Sequence, residues 1–86
     1  MNPDLEATAA EELAQAVSLG WRQLAKVTPW GDTYVGIAPS GREVEIARNY
    51  IWKDEPGGDI LCEVIVYAGE TRYDHGARLS QVIAKA

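Results

Sequence analysis

The only histidine of the chain, His75, follows Asp74, and the only cysteine, Cys62, lies upstream of both. Together these residue types can form a nucleophile with its base, and Asp74-His75 alone can act as a general base. The neighbours of Cys62 argue against nucleophilic chemistry. A reactive thiolate needs an electropositive, partly exposed setting, whereas Cys62 alternates with Ile60, Val64 and Val66, the pattern of a small hydrophobe inside a strand. Asp74 also precedes an apolar-periodic segment, where an aspartate that caps a helix explains it as well as a catalytic one does. A small-ligand pocket or minor enzymatic site near Asp74 and His75 is therefore the second expectation and not the first.

Carboxylates occur in pairs at Glu11-Glu12, Glu43/Glu45 and Asp54-Glu55. Glu43 and Glu45 share a strand face and would bind a hard cation or exchange protons on a concave surface; on a flat one they are charges that guard a sheet edge. Asp54, Glu55 and Asp59 flank Gly57-Gly58 without the alternating ligand spacing of a calcium loop. Those glycines precede a strand, whereas a phosphate-binding glycine loop follows one and opens a helix. No Cys/His cluster suits zinc. The reading is a non-enzymatic chain with no catalytic, metal or cofactor residue.

The aromatic set is unusual: three Trp, four Tyr and no Phe, at Trp21, Trp30, Tyr34, Tyr50, Trp52, Tyr67 and Tyr73. Trp and Tyr join a large apolar area to a polar tip, which suits half-wet surfaces and protein interfaces. Arg48 and Arg72, with Arg42, supply the guanidinium partners that interfaces favour. The candidate interface residues are accordingly Trp30, Tyr50, Trp52, Leu61, Ile65, Tyr67, Tyr73, Arg48 and Arg72, gathered on a sheet face that the long helix leaves open; the alternative is ordinary packing.

The elements that position these residues follow from periodicity. Asn2-Pro3-Asp4 is a helix start, and Thr8-Ala-Ala-Glu11 is a competing capping box that would leave residues 3–7 as a frayed turn. Leu13, Val17, Gly20, Trp21, Leu24 and Val27 then form the apolar stripe of one long helix, with Gly20 marking a close approach or a kink and Pro29 ending it. The period changes to two for strands over 33–38 and 42–52, joined by a Pro39-Ser-Gly41 turn; past Ala47 both parities turn apolar or aromatic, which allows a bulge or a change of cover near Arg48-Asn49. The run from Asp59 to Tyr67 is the central strand, with Ile60, Cys62, Val64 and Val66 on one face and Leu61, Glu63, Ile65 and Tyr67 on the other. A short fourth strand over 71–74 and a short C-terminal helix carrying Leu79, Val82, Ile83 and Ala86 complete the pattern, with a further strand as the competing reading of that last segment. The fold class is α+β: a long N-terminal helix packed on a four-stranded antiparallel meander, with the C-terminal helix covering a corner.

At 86 residues this is one domain. The net charge of −5, with eight scattered basic residues, argues against a phosphate backbone as partner. No window approaches the roughly 18 apolar residues of a membrane span, Met1-Asn-Pro-Asp-Leu-Glu lacks the features of a signal peptide, and a single cysteine suits a reducing compartment, so a cytoplasmic location is expected. The expected function is binding to another protein, including a second copy as a homodimer. Small size and acidic charge suit an accessory or inhibitor protein of a mobile element. Leu61, Ile65 and Tyr67 should meet either the short helix or a second chain.

Overall fold

The chain begins with Pro3 at the first helical position and Asp4 and Glu6 in the first turn, the charge pattern that favours a helix N-terminus. The computed structural model describes residues 3–68 and 76–86. Among them run α1 (Pro3–Ser18), α2 (Gly20–Ala25), β1 (Trp30–Ile37), β2 (Glu43–Trp52), β3 (Ile60–Tyr67) and β4 (Ala77–Ile83). The strands form one antiparallel sheet in the order β1-β2-β3-β4, and helices cover one of its faces, which makes a two-layer α+β domain with a meander sheet.

The expected single helix is two. Gly20 has φ of +79°, a conformation that breaks the helical path after Leu19 and that costs an L-residue with a Cβ roughly 1–2 kcal/mol. A Cβ at Gly20 would meet nothing within 4 Å, so backbone geometry and not crowding selects glycine there. The buried stripe is also rotated from the expected one. Leu5, Thr8, Ala9 and Ala16 are buried with Leu13 packed beside them, whereas Val17 is only half-buried and Val27 is exposed. The small residues Ala9 and Ala16 are what allow α1 to lie close over β3 and β4. Residues 3–7 are not a frayed turn: Leu5 is in the core, and Thr8 sits within α1, its hydroxyl donating to the Asp4 carbonyl at 3.0 Å. The Asp4 carboxylate in turn accepts from the Ser40 backbone N–H at 3.0 Å and hydroxyl at 2.7 Å, tying the start of α1 to the β1–β2 turn.

That turn is closed by Gly41 N–H to Ala38 carbonyl and Ala38 N–H to Arg42 carbonyl, both 2.8 Å, with Gly41 at φ +88°. Strand β1 starts at Trp30, earlier than expected, because the whole of 30–37 pairs with 43–50. No bulge occurs at Arg48-Asn49; the register is continuous on both sides of β2. Both parities are apolar or aromatic there because one faces the helices and the other the outer surface, not because the strand twists.

The C-terminal segment is the main correction. Residues 77–83 form β4, paired with β3 from Val66↔Ala77 to Ile60↔Ile83, and not a helix. Leu79, Val82 and Ile83 fit both periods in so short a run; the unpaired edge of β3 decides, since its backbone groups need partners and Ala77, Leu79 and Ile83 then fall on the helix-covered face. The expected strand over 71–74 lies outside the described residues.

Two buried clusters fill the space between layers. Leu5, Ala9, Ala38, Val44, Ile46, Val64, Val66 and Ala77 form one; Ala16, Leu24, Tyr50, Ile60 and Cys62 form the other, and Leu13 packs against both. Among the described residues no helix is long and apolar enough to cross a membrane. Replacing Gly20 by Ala is expected to lower unfolding stability by about 1 kcal/mol through the left-handed backbone alone, read as a lower urea midpoint at unchanged slope; an unchanged midpoint would contradict the assigned break.

Candidate functional site

Alternation along β2 sends Val44, Ile46, Arg48, Tyr50 and Trp52 towards the helices. Arg48 on this inner face brings a charge into the layer, and Glu12 of α1 answers it. Arg48 Nη1 lies 3.3 Å from Glu12 Oε2, and the Tyr34 hydroxyl donates to the same oxygen at 2.8 Å. The Arg48 guanidinium also sits 5.9 Å from the Trp30 ring centroid and 5.8 Å from that of Tyr50, two rings that stack with centroids 5.0 Å apart. Its Nε is buried without a hydrogen-bond partner among the described residues. Burial, then the hydrogen bond to Glu12, pushes the Tyr34 phenol up to about 12, while Arg48 pulls the other way. Burial likewise raises Tyr50.

Trp30, Tyr50, Trp52 and Arg48 therefore belong to the covered face and not to the open one expected for them. Tyr50 is part of the core, and Trp30 and Trp52 pack against it. Trp21 is half-buried beside the same cluster and donates its indole N–H to the Gly58 carbonyl at 2.8 Å, anchoring the 53–59 loop. Cys62 is fully buried and burial raises its thiol pKa, which leaves it in the protonated, unreactive form. Asp59 is committed to the chain end, where its carboxylate accepts from the Lys85 backbone N–H at 2.9 Å. Among the described residues no three His, Cys, Asp or Glu side chains converge as metal ligands would. Arg72, Tyr73, Asp74 and His75, and with them the ligand-pocket reading, lie outside the described residues.

The opposite parity builds the outer face, which no described helix covers. Its rows follow from the register: Val35, Glu45 and Tyr67; Thr33, Ala47, Ile65 and Arg78; Gly31, Asn49, Glu63 and Ser80; Ile51, Leu61 and Val82. Ile37 and Glu43 lie beyond the first row. Leu61, Ile65 and Tyr67 stand on this face as expected, with Tyr67 buried and the other two half-buried. Glu43 and Glu45 are exposed on it, but β2 is an interior strand, so they do not guard an edge. Glu63 and Arg78 pair across it at 2.6 Å.

Sequence reasoning missed its most exposed apolar members: Ile37 at 66%, Val35 at 59%, Ile51 at 47% and Val82 at 39%. The signal for Val35 and Ile37 was their parity opposite Tyr34; Val82 could not be placed while its segment read as a helix. At one corner, Pro29, Trp30, Gly31, Asn49, Ile51 and Glu63 line a depression of about 390 Å³. Gly31 makes room for it and for the Asn49 amide, whose Oδ1 would lie 2.5 Å from a Cβ at that position.

Comparison with protein families, curated proteins and solved structures finds no match to this chain.

Because the folded-state pKa of Tyr34 lies above its unfolded value of 10.0, the unfolded chain loses this proton first as pH rises. The stabilising contribution is complete below pH 10 and is lost between pH 10 and about 12. Urea midpoints across this window should fall more steeply for the wild type than for Tyr34→Phe; identical slopes would contradict the Glu12–Tyr34 pairing.

Proposed function

We propose that this domain acts by binding protein through its outer sheet face and performs no chemistry of its own. The observation that carries the reading is the set of four exposed large hydrophobics, Val35, Ile37, Ile51 and Val82, on a single face that no described helix covers. Single exposed apolar side chains are ordinary on a soluble protein, but several on one flat sheet face mark an interaction surface. The polar middle of the face, Asn49, Glu63, Ser80 and Arg78, supplies hydrogen-bonding groups that orient a partner. Its carboxylates, Glu43, Glu45 and Glu63, outnumber Arg78, which favours protein over nucleic acid as the occupant. Small size and acidic charge support the narrower reading, an accessory or inhibitor protein of a mobile element working in the cytoplasm.

The test uses tagged chain as bait in extract of the source cells, supplemented with an untagged copy. Wild type and Leu19→Glu, a change at an exposed site on the helical side, should retain the same protein, and Ile51→Glu should lose it. Equal capture by all three baits would overturn the reading.

A further inference from the structure

We propose that the occupant of the outer face is a second copy of this chain, packed sheet to sheet about a two-fold axis that runs parallel to the strands between β2 and β3. This rests on the protein-binding reading above and names the partner. Such an axis exchanges β2 with β3 and β1 with β4 while leaving the height along the strands unchanged, so each row of the face meets itself in reverse order. Ile51 then faces Leu61 of the second copy, Ala47 faces Ile65, and Asn49 can donate its amide N–H to Glu63. Thr33 faces Arg78, and Glu45 faces Tyr67. Among the described residues no carboxylate meets a carboxylate. The other aligned arrangement, with its axis across the strands at the row of Ala47 and Ile65, stacks β2 on β2 with its ends reversed and sets Glu43 against Ile51, an uncompensated charge on an apolar side chain.

Shape agrees with charge. Val82 stands exposed on β4, and the axis along the strands carries it over Pro29 of the second copy, which lines the depression of about 390 Å³. That depression is thus the socket for Val82, twice per dimer. The face offers roughly 500 Å² a side from four strands at about 4.8 Å spacing and about 3.3 Å per residue. Doubled, that reaches the roughly 1,000 Å² expected of a specific interface. Sheets packed in this aligned way meet about 10 Å apart with a rotation of about 30°, as in sandwich folds.

The purified wild-type chain at roughly 100 µM should sediment at twice its 9.4 kDa mass. Val82→Glu and Ile51→Glu, both at exposed positions, should each raise the dimer dissociation constant at least about tenfold while keeping wild-type circular dichroism, and Leu19→Glu should leave it unchanged. A monomeric wild type overturns the self-association, whatever the bait experiment returns; a different protein captured through Ile51 would then leave the binding reading standing without it. A dimer indifferent to both glutamates overturns this face as its interface.

Discussion

Four strands have two faces, and the described helices cover one. That constraint governs the structure. The α1 helix lies over β3 and β4, α2 reaches β3, and the apolar alternation of β3 delivers Ile60, Cys62, Val64 and Val66 into complete burial beneath them. With residues 77–83 drawn into the sheet as β4, no described helix is left for the other side. The outer face must make do with cross-strand neighbours such as Glu63 and Arg78, which pair over the sheet and shade the apolar groups between them.

On the covered side the helical layer is fixed by one polar device in an apolar setting. Glu12 takes both the Tyr34 hydroxyl and the Arg48 guanidinium on a single oxygen, while Trp30 and Tyr50 flank the cation. A partly shielded charge is costly alone and tolerable as a pair, so the arrangement ties α1 to β1 and β2 in one rotation. In that rotation Leu5, Ala9, Leu13 and Ala16 face inward. Arg48, Trp30, Tyr50 and Trp52, which suggested an interface, instead pack between the two layers.

Much of the fold was legible from residue order. The central strand was, because its alternation is long and has a single charge, and so was the β1–β2 turn, from Pro39-Ser-Gly41; Gly20 was marked as a close approach or a kink, but within one helix. The helix stripe was read one position off because Ala carries little weight in a hydrophobic pattern, although Ala9 and Ala16 are what permit close approach. The last strand was missed because a seven-residue run with Leu79, Val82 and Ile83 satisfies either period until a neighbouring edge selects one. Of the candidate surface, Leu61, Ile65 and Tyr67 were legible from parity on β3, and Val35 and Ile37 carried the same signal opposite Tyr34; Ile51 and Val82 needed the register, which is a tertiary property.

The proposed dimer uses the complementarity of the outer face's rows, read in reverse order, to cover that face with a second sheet. Isotope-filtered nuclear Overhauser spectroscopy on a mixture of labelled and unlabelled chain tests this most directly. Within one chain Val82 and Pro29 lie three strand spacings apart, about 14 Å, too far for a cross-peak. The account predicts intermolecular cross-peaks from the Val82 methyls to the Pro29 ring protons; intermolecular peaks confined to helix residues, or none at all, would contradict it.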